Sequence, residues 1–364
     1  MNMYTEVCIV GAGPAGSFLA YLLVKQGISV ILLERQSTIH KRFRGELINT
    51  DGESLLKKAN VYQEIESLGL LPLQTVEYWH SGNIIHQIAA TDDEVHKGIH
   101  VPQDHLLQAI LHKAGAFPHL KMYTGAAFKD YIVDSDDQII GITAQIQGQM
   151  TSIHCRIIVG ADGRASHVRN KAGIEPGIKL RPFDVLWARI PEPSDWIPAT
   201  RMALIDEQQL ALFSQTDGYV QIGWNIAQGS YPEIRKGSFA PYIGRLTAAF
   251  PALAQSVSAN IHSWSDFVLL PVFSSLSETW TKHNIVLIGD AAHTMTPTGA
   301  FGVNAALEDA YQLSVLLQEL ASSQYSSLEI LKDLEAKRLS KVIRQLELQV
   351  QMEVEFPAKI KSFM

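Results

Sequence analysis

An α/β fold, with a doubly wound parallel sheet interrupted by a separate β-rich unit and closed by a C-terminal helix, is predicted by three observations. A run rich in β-branched residues, 6–10, enters the glycine turn Gly11-Ala12-Gly13-Pro14-Ala15-Gly16, which opens a helix. The same strand-to-glycine pattern returns late, where Ile285-Val286-Leu287-Ile288 meets Gly289-Asp290. Between the two, residues 182–225 read as strands.

Helix 14–26 has Pro14 in its first turn and Gly27 after its last, the usual start and stop of a short helix. The buried-strand run Ser29-Val30-Ile31-Leu32-Leu33 ends at Glu34 and completes a βαβ unit. Residues 45–70 carry Leu47, Leu55, Leu56, Val61, Ile65 and Leu68 at spacings near three and four, so the whole stretch is expected to be helical. Residues 74–88 alternate as a strand pair around Ser81-Gly82-Asn83, and a polar stretch, 91–97, leads through Pro102 and Gln103 into helix 104–114. Strand and turn signals alternate over 120–150, and strand 151–159 ends at Gly160-Ala161-Asp162-Gly163. The clearest strands of the middle region are 185–190, 210–213 and 219–225, and a long helix begins near Val303. From Ser326 on, Leu331, Leu334, Leu339, Val342, Ile343, Leu346 and Val350 recur at helical spacing among charged residues, which predicts an amphipathic helix packed on the body.

Composition excludes several classes of function. The 364 residues correspond to about two domains at roughly 150 residues each, and an apolar share of 46% is enough for a full core. The net charge, 30 − 37 = −7, lacks the basic excess that a nucleic-acid binder needs. The longest apolar run is the seven residues 18–24, far short of the ~20 that span a bilayer. No lysine or arginine precedes Lys25 to form a signal-peptide n-region, so a cytoplasmic location is expected. Cys8 and Cys155 sit in apolar strand-like runs, and two cysteines are too few for a disulfide framework or a zinc site. His80, His86, His96 and His100 follow strand and loop spacing with no cysteine partner, so no metal is expected there.

Three glycine motifs carry the chemistry. In the first, Gly11 permits the turn, Gly13 lets the backbone approach a pyrophosphate, Ala15 is small, and Gly16 allows close helix–strand packing; the helix N-terminus supplies N–H donors. Glu34 stands 34 − 16 = 18 positions after Gly16, at a strand end, where it can accept hydrogen bonds from an adenosine ribose. This pattern suits FAD and NAD alike. The second motif, 160–169, sets backbone amides and the Asp162 carboxylate at another strand end. In the third, Gly289-Asp290-Ala291-Ala292-His293, the aspartate suits a ribityl or ribose hydroxyl and the small residues leave room for a chain to pass. Gly302-Val303-Asn304 then opens a helix whose amides can stabilise negative charge on an electron-rich ring edge, such as the N1 and O2 edge of a reduced flavin.

These motifs, in this order over residues 7–309, resemble the class A FAD-dependent monooxygenases, the aromatic-ring hydroxylase family with the para-hydroxybenzoate hydroxylase-like fold. The nearest local likeness lies in Pro297-Thr298-Gly299-Ala300 with Gly302 and Asn304, and more loosely in Ser214-Gln215 and Tyr219-Val220-Gln221. The resemblance implies FAD as cofactor, with NADPH or NADH and O2 as co-substrates: NAD(P)H reduces the flavin, O2 adds at C4a, and the hydroperoxide delivers one oxygen atom to the substrate. It implies a discontinuous, Rossmann-like FAD-binding domain from 1–73, 98–180 and 268–324. A β-sheet substrate-binding domain would come from 74–97 and 181–267, and a C-terminal helical segment from 325–364. Glu34 would lie at the adenosine ribose with Arg35 beside it among the cofactor-binding residues, Arg44 and Gln103 at the pyrophosphate and ribityl region, and Asp290 at the ribityl chain. Arg44 is preferred to Arg42 because Gly45 follows it. Asp162 would serve FAD and transient NADPH, and Pro297 with the Gly302, Val303 and Asn304 backbone would line the isoalloxazine.

The expected substrate contacts are Phe213, Tyr219, Gln221 and Trp224, with Trp187 and Arg189 also on strands of the substrate region. Because the cofactor carries the chemistry, no acid–base group stands out, and Tyr219, Ser214 and Pro297 are the only catalytic candidates. Thr216 stands where the hydroxybenzoate enzymes place a carboxylate-binding arginine, and no tyrosine lies near 202–204. A larger aromatic or polyketide-like small molecule is therefore expected rather than 4-hydroxybenzoate. Alternation puts Tyr219, Gln221 and Gly223 on one face and Trp224 on the other. His293 is expected to pack or hydrogen-bond at a helix start, and Arg164 and Arg169 to form surface ion pairs. Competing readings are a FAD-dependent reductase or halogenase of the same fold and a non-catalytic flavin- or ligand-binding protein. The halogenase signature W-x-W-x-I-P is absent around Gly223-Trp224-Asn225-Ile226. A monomer and a homodimer are both compatible with the sequence.

Overall fold

The computed structural model describes residues 2–38, 45–91, 95–322 and 327–364. The chain begins with β1 (Asn2–Val10), α1 (Pro14–Lys25), β2 (Val30–Glu34), β3 (Gly45–Ile48), α2 (Thr50–Lys58), α3 (Tyr62–Leu68) and β4 (Leu71–Pro72). Next come β5 (Thr75–His80), β6 (Asn83–Ala89), β7 (Ile99–Pro102), α4 (Gln103–Gly115), β8 (Leu120–Thr124), β9 (Ala126–Val133), β10 (Ile139–Ile146), β11 (Gln149–Gly160), α5 (His167–Lys171) and β12 (Pro176–Leu180). The middle region holds β13 (Phe183–Pro191), β14 (Ala199–Ile205), β15 (Gln208–Gln215), β16 (Tyr219–Ala227), α6 (Tyr231–Ile234), α7 (Ala240–Ala249), α8 (Ala254–Asn260) and β17 (Val268–Leu270). The chain closes with β18 (Phe273–Ser277), β19 (Thr281–Lys282), β20 (Ile285–Leu287), β21 (His293–Thr294), α9 (Phe301–Ser322) and α10 (Ser327–Ser362).

The first sheet runs β19-β20-β11-β1-β2-β8, with β10 and β9 continuing from β11. Its centre is parallel: β1 pairs with β2 and β11, β11 with β20, and β2 with β8. A parallel sheet is covered on both faces, which is why residues 7–10 and 30–33 are apolar without alternation and all buried. Phe18, Leu19 and Leu23 of α1 pack with Leu106 and Ile110 of α4 and Leu307 and Leu313 of α9 on one side. Phe128, Ile142, Ile153, Trp280 and Val342 form the layer on the other, together with the free, buried Cys8 and Cys155.

The second sheet runs β17-β13-β16-β15-β14-β5-β6 and is antiparallel except where β14 meets β5. Helices α7 and α8, absent from the sequence reading, and the turn between them lay Leu246, Phe250, Leu253 and Val257 against Leu186, Ile190, Leu212 and Ile222 on one face. The far end of α10 brings Phe356 and Ile360 to Tyr78 on the other.

Two expectations are corrected. Residues 45–48 are a strand, because β7 offers them an antiparallel partner, Leu47 opposite His100, and pairing overrides a weak helical spacing. Residues 268–270, grouped by sequence with the first unit, pair with β13 in the second sheet. The C-terminal stripe is buried at Leu331, Leu334 and Val342, whereas Ile343 and Val350 face outward, so only part of the stripe covers the core.

Candidate active site

The three glycine motifs converge at the carboxyl edge of the parallel sheet. Gly11 adopts φ +106°, and a Cβ there would lie 2.3 Å from the Ala161 carbonyl oxygen of the second motif. A Cβ on Gly16 would lie 1.9 Å from the Gly11 carbonyl oxygen. Both positions therefore demand glycine for packing. Gly13 is different: nothing lies within 4 Å of the position its Cβ would take, so that side of the loop is open. Helix α1 starts at this opening with no acidic residue in its first turn and no side-chain cap, leaving N–H donors for an anion. In the third motif, a Cβ on Gly289 would contact Ala15 at 3.2 Å and Ala306 at 3.3 Å, so the first and third motifs touch.

Glu34 faces the same loop, its Oε2 accepting from Ala12 N–H at 3.0 Å and its Oε1 from Gln36 N–H at 2.9 Å. Arg35 is exposed just beyond it, and the Arg44 position lies outside the described residues. Gln103 is buried; its Nε2 donates to Glu46 while its Oε1 has no partner. Asp290 is half-buried, with Arg164 Nε 3.4 Å from its Oδ2. Asp162 is engaged within the chain: its Oδ1 accepts from the Ser166 hydroxyl and its Oδ2 from the His167 N–H at 2.7 Å, capping α5. Arg169 is not the surface residue expected from sequence. It is buried and donates to the Ala291 and Arg164 carbonyls at 3.0 Å each, which ties the second motif to the third.

Pro297 leads into a single tight turn in which Gly299 and Ala300 take successive left-handed conformations, φ +73° and +53°. For alanine that conformation is strained, and it persists because neighbours hold the turn. Gln349 of α10 is one of them: it accepts from Thr296 N–H at 3.2 Å and donates to the Thr296 and Thr298 carbonyls at 2.8 and 2.6 Å. Glu353 accepts from the Thr296 hydroxyl at 2.7 Å and from Arg181 Nε at 2.9 Å. Gly302 and Val303 lie half-buried in the first turn of α9. Asn304 locks that turn to β3, donating to the Leu47 and Ala300 carbonyls and accepting from Asn49 N–H at 3.1 Å. His293 hydrogen-bonds, but from strand β21 rather than the expected helix start: it is buried with its Nε2 2.7 Å from Asp309 Oδ2, and the other Asp309 oxygen accepts from Arg338 Nε at 2.7 Å. Burial alone would raise the Asp309 carboxyl, but His293 and then Arg338 outweigh it and hold it below its usual value.

The registers of the second sheet settle which strand residues share the face away from α7 and α8. Trp187 pairs with Gly223, and Arg189 and Phe213 both pair with Gln221, placing all of them on the face opposite α7 and α8. The Trp187 and Phe213 rings lie 5.9 Å apart, and the Arg189 guanidinium stacks 3.8 Å over the Tyr219 ring. Gln221 accepts from Gln215 on the neighbouring strand. Trp224, expected as a substrate contact, is on the helix-covered face: it is 1% exposed, lies 5.2 Å from Tyr242, and donates to Gln208 at 3.2 Å. Ser214 is likewise structural. Its Oγ accepts from Trp196 Nε1 and Ala199 N–H and donates to the Ala199 carbonyl, all within 3.1 Å. Ser214→Ala is accordingly expected to cost about 1–3 kcal/mol of stability in urea unfolding while leaving FAD content and turnover unchanged; a selective loss of turnover would restore Ser214 as a catalytic candidate.

His100, not singled out by sequence beyond its spacing, is buried on β7, which pairs with β3 and β4 and abuts the end of β15, and its Nδ1 accepts from Thr216 N–H at 3.3 Å. Its pKa is pushed down to about 4 by burial, and further by the Arg189 charge and His105. The other histidines disperse: His96 lies 3.2 Å from Glu53 and His86 stacks on Phe363 at 4.1 Å.

The residues present fit a flavin dinucleotide. An open glycine loop at a helix N-terminus, a strand-end carboxylate at Glu34, an orphaned Gln103 amide oxygen and the accessible Asp290 carboxylate line one edge, ending at the strained turn before α9. Fold and site together define a flavin-dependent oxidoreductase. A family model described as an FAD binding domain matches residues 4–347. The chain is 30% identical over 357 residues to 6-methylpretetramide 4-monooxygenase of Streptomyces rimosus, covering 95% of this chain and 83% of that one. It is 27% identical over 392 residues to p-hydroxybenzoate hydroxylase of Acinetobacter baylyi, covering 99% and 90%. Among solved structures, PqsL from Pseudomonas aeruginosa superposes with a TM-score of 0.84 at 19% identity, over 97% and 96% of the two chains. The chain belongs to this FAD-binding family and is a class A FAD-dependent monooxygenase. Among the described residues, no helix is long and apolar enough to cross a membrane.

Proposed function

We propose that this enzyme inserts one oxygen atom from O2 into a planar aromatic or polyketide-like small molecule held between the second sheet and the turn at Pro297. The observation that carries this reading is the face of that sheet opposite α7 and α8, where Trp187, Phe213 and Tyr219 lie half-buried beside one another. When bound, FAD supplies the redox chemistry, taking electrons from NADPH or NADH and activating O2. Residues 1–73, 98–180 and 271–324 hold the cofactor, with Glu34 at the ribose and Asp290 at the ribityl chain. The N–H groups of Gly302 and Val303, at the N-terminus of α9, would hold the flavin ring edge and would favour negative charge there. Trp187 and Phe213 stack on the substrate ring and keep water from the reacting face. The relatives named for 6-methylpretetramide and p-hydroxybenzoate support aromatic hydroxylation, and Thr216 favours a substrate other than p-hydroxybenzoate.

The test is NADPH and NADH oxidation by the FAD-loaded protein in air, with and without phenols, quinones and polycyclic aromatics, recording product mass. Oxidation stimulated by an aromatic, with a gain of one oxygen, is expected. Stimulation with a product that has gained two hydrogens and no oxygen would instead establish the reductase alternative, whereas H2O2 with an unchanged aromatic would show uncoupling.

A further inference from the structure

Two buried polar donors, one on the face of the second sheet that would meet the substrate and one on β7 beside the end of β15, have no acceptor among the described residues. The Arg189 Nε–H is buried without a partner, and among the described residues no carboxylate pairs with its guanidinium, which instead stacks on Tyr219. A cation stacked this way keeps its charge and presents its edge to a ligand. The second donor is His100. Because its Nδ1 accepts the Thr216 N–H, the proton of the neutral ring sits on Nε2, and this Nε2–H is buried with no partner either, on a residue only 6% exposed. Unpaired buried donors are costly in a folded protein, and these two flank the same end of β15 and β16: His100 accepts from Thr216, Gln215 beside it pairs with Tyr219, and Arg189 stacks on Tyr219, which makes a place for an acceptor. The surroundings exclude a cation: the nearby groups are the amides Gln215 and Gln221 and the rings Trp187, Phe213 and Tyr219.

We infer that Arg189 and His100 form a subsite for an anionic oxygen on the aromatic substrate: a carboxylate, or the ionised hydroxyl of a vinylogous acid such as an enolised β-dicarbonyl. The inference deepens the proposed function, resting on its placement of the substrate against this face. Arg189 supplies the charge and His100 a directional hydrogen bond, while the rings stack on the planar body. Such a subsite sets the orientation in which the ring meets the oxidant, and it makes Arg189 a specificity-determining residue.

Direct binding to the FAD-loaded protein at pH 7.5, followed by Trp fluorescence and by calorimetry, separates this idea from the reaction itself. Three flat probes are compared: 2-naphthoate, 2-hydroxy-1,4-naphthoquinone, which is anionic at that pH, and neutral 2-naphthamide. The wild-type protein should bind at least one anion roughly tenfold more tightly than the amide, and which anion it prefers identifies the source of the oxygen. Arg189→Met should abolish the preference and leave amide binding and FAD content unchanged, and Arg189→Lys should retain part of it. His100→Phe should weaken anion binding by a smaller factor. A wild-type protein with no charge preference, or an Arg189→Met protein that keeps the preference, would overturn the subsite. Charge preference with no oxygenated product from any substrate would leave the subsite standing and count against hydroxylation alone.

Discussion

Replacing Gly13 by valine is expected to give a folded protein that does not retain FAD. Gly13 precedes α1 with φ −73° and ψ −175°, extended backbone that valine adopts readily, and nothing lies within 4 Å of the added Cβ. The apoprotein therefore has no reason to unfold. The isopropyl group would instead occupy the space through which a pyrophosphate approaches the loop N–H groups, so FAD affinity should fall by about a hundredfold or more, on the order of 3 kcal/mol. Gly16→Ala makes the contrast. Its Cβ would meet the Gly11 carbonyl oxygen at 1.9 Å, so that substitution should destabilise the apoprotein itself. Flavin absorbance after gel filtration and thermal unfolding of the FAD-free proteins separate the two effects. A Gly13→Val protein that stays yellow would mean that the cofactor does not cross this loop.

The second large effect lies behind the site. Asp309 is fully buried between His293 and Arg338 and also accepts the Gly289 N–H at 2.9 Å, so one carboxylate joins α9, α10 and the third motif. Arg338→Met removes a charge that is 1% exposed and takes away the guanidinium that pairs with both Asp309 and Glu308. Breaking a buried pair from one side costs about 3–5 kcal/mol, and that loss is expected in urea unfolding of the FAD-free protein. Adding Asp309→Asn should recover part of it, since the amide keeps an oxygen for Gly289 without the buried charge. A loss under about 1 kcal/mol for Arg338→Met would show that the triad contributes little to stability.

Local sequence carries the cofactor site well because each motif is a local solution to a local problem. A strand, a tight turn and a helix N-terminus sit within a dozen residues, and Gly11 and Gly16 are recognisable since only glycine allows those backbone approaches. The same logic finds Asp290 at a strand end. The second motif was equally visible, but sequence did not announce that Asp162 caps α5 or that Arg169 is buried against neighbouring carbonyls. Local logic fails for strand 45–48, whose partner lies some fifty residues away in β7. Helices α7 and α8 went unread because their apolar positions make sense only against the sheet that they cover.

Sequence alone determined the family, the cofactor class, the parallel sheet and the two-fold alternation of β16, because glycine turns, apolar runs and period-two spacing are short-range properties of the chain. The tertiary structure decided which face of β16 lies away from the helices. Alternation separated Trp224 from Tyr219 and Gln221 but was symmetric between the faces until α7 covered one of them and made Trp224 core. Only long-range packing could also set His100 against Thr216, 116 residues away, and leave its other nitrogen and the Arg189 charge without a partner. Such groups carry no signature in sequence, because what makes them functional is the absence of a neighbour, and neighbours are fixed by the fold.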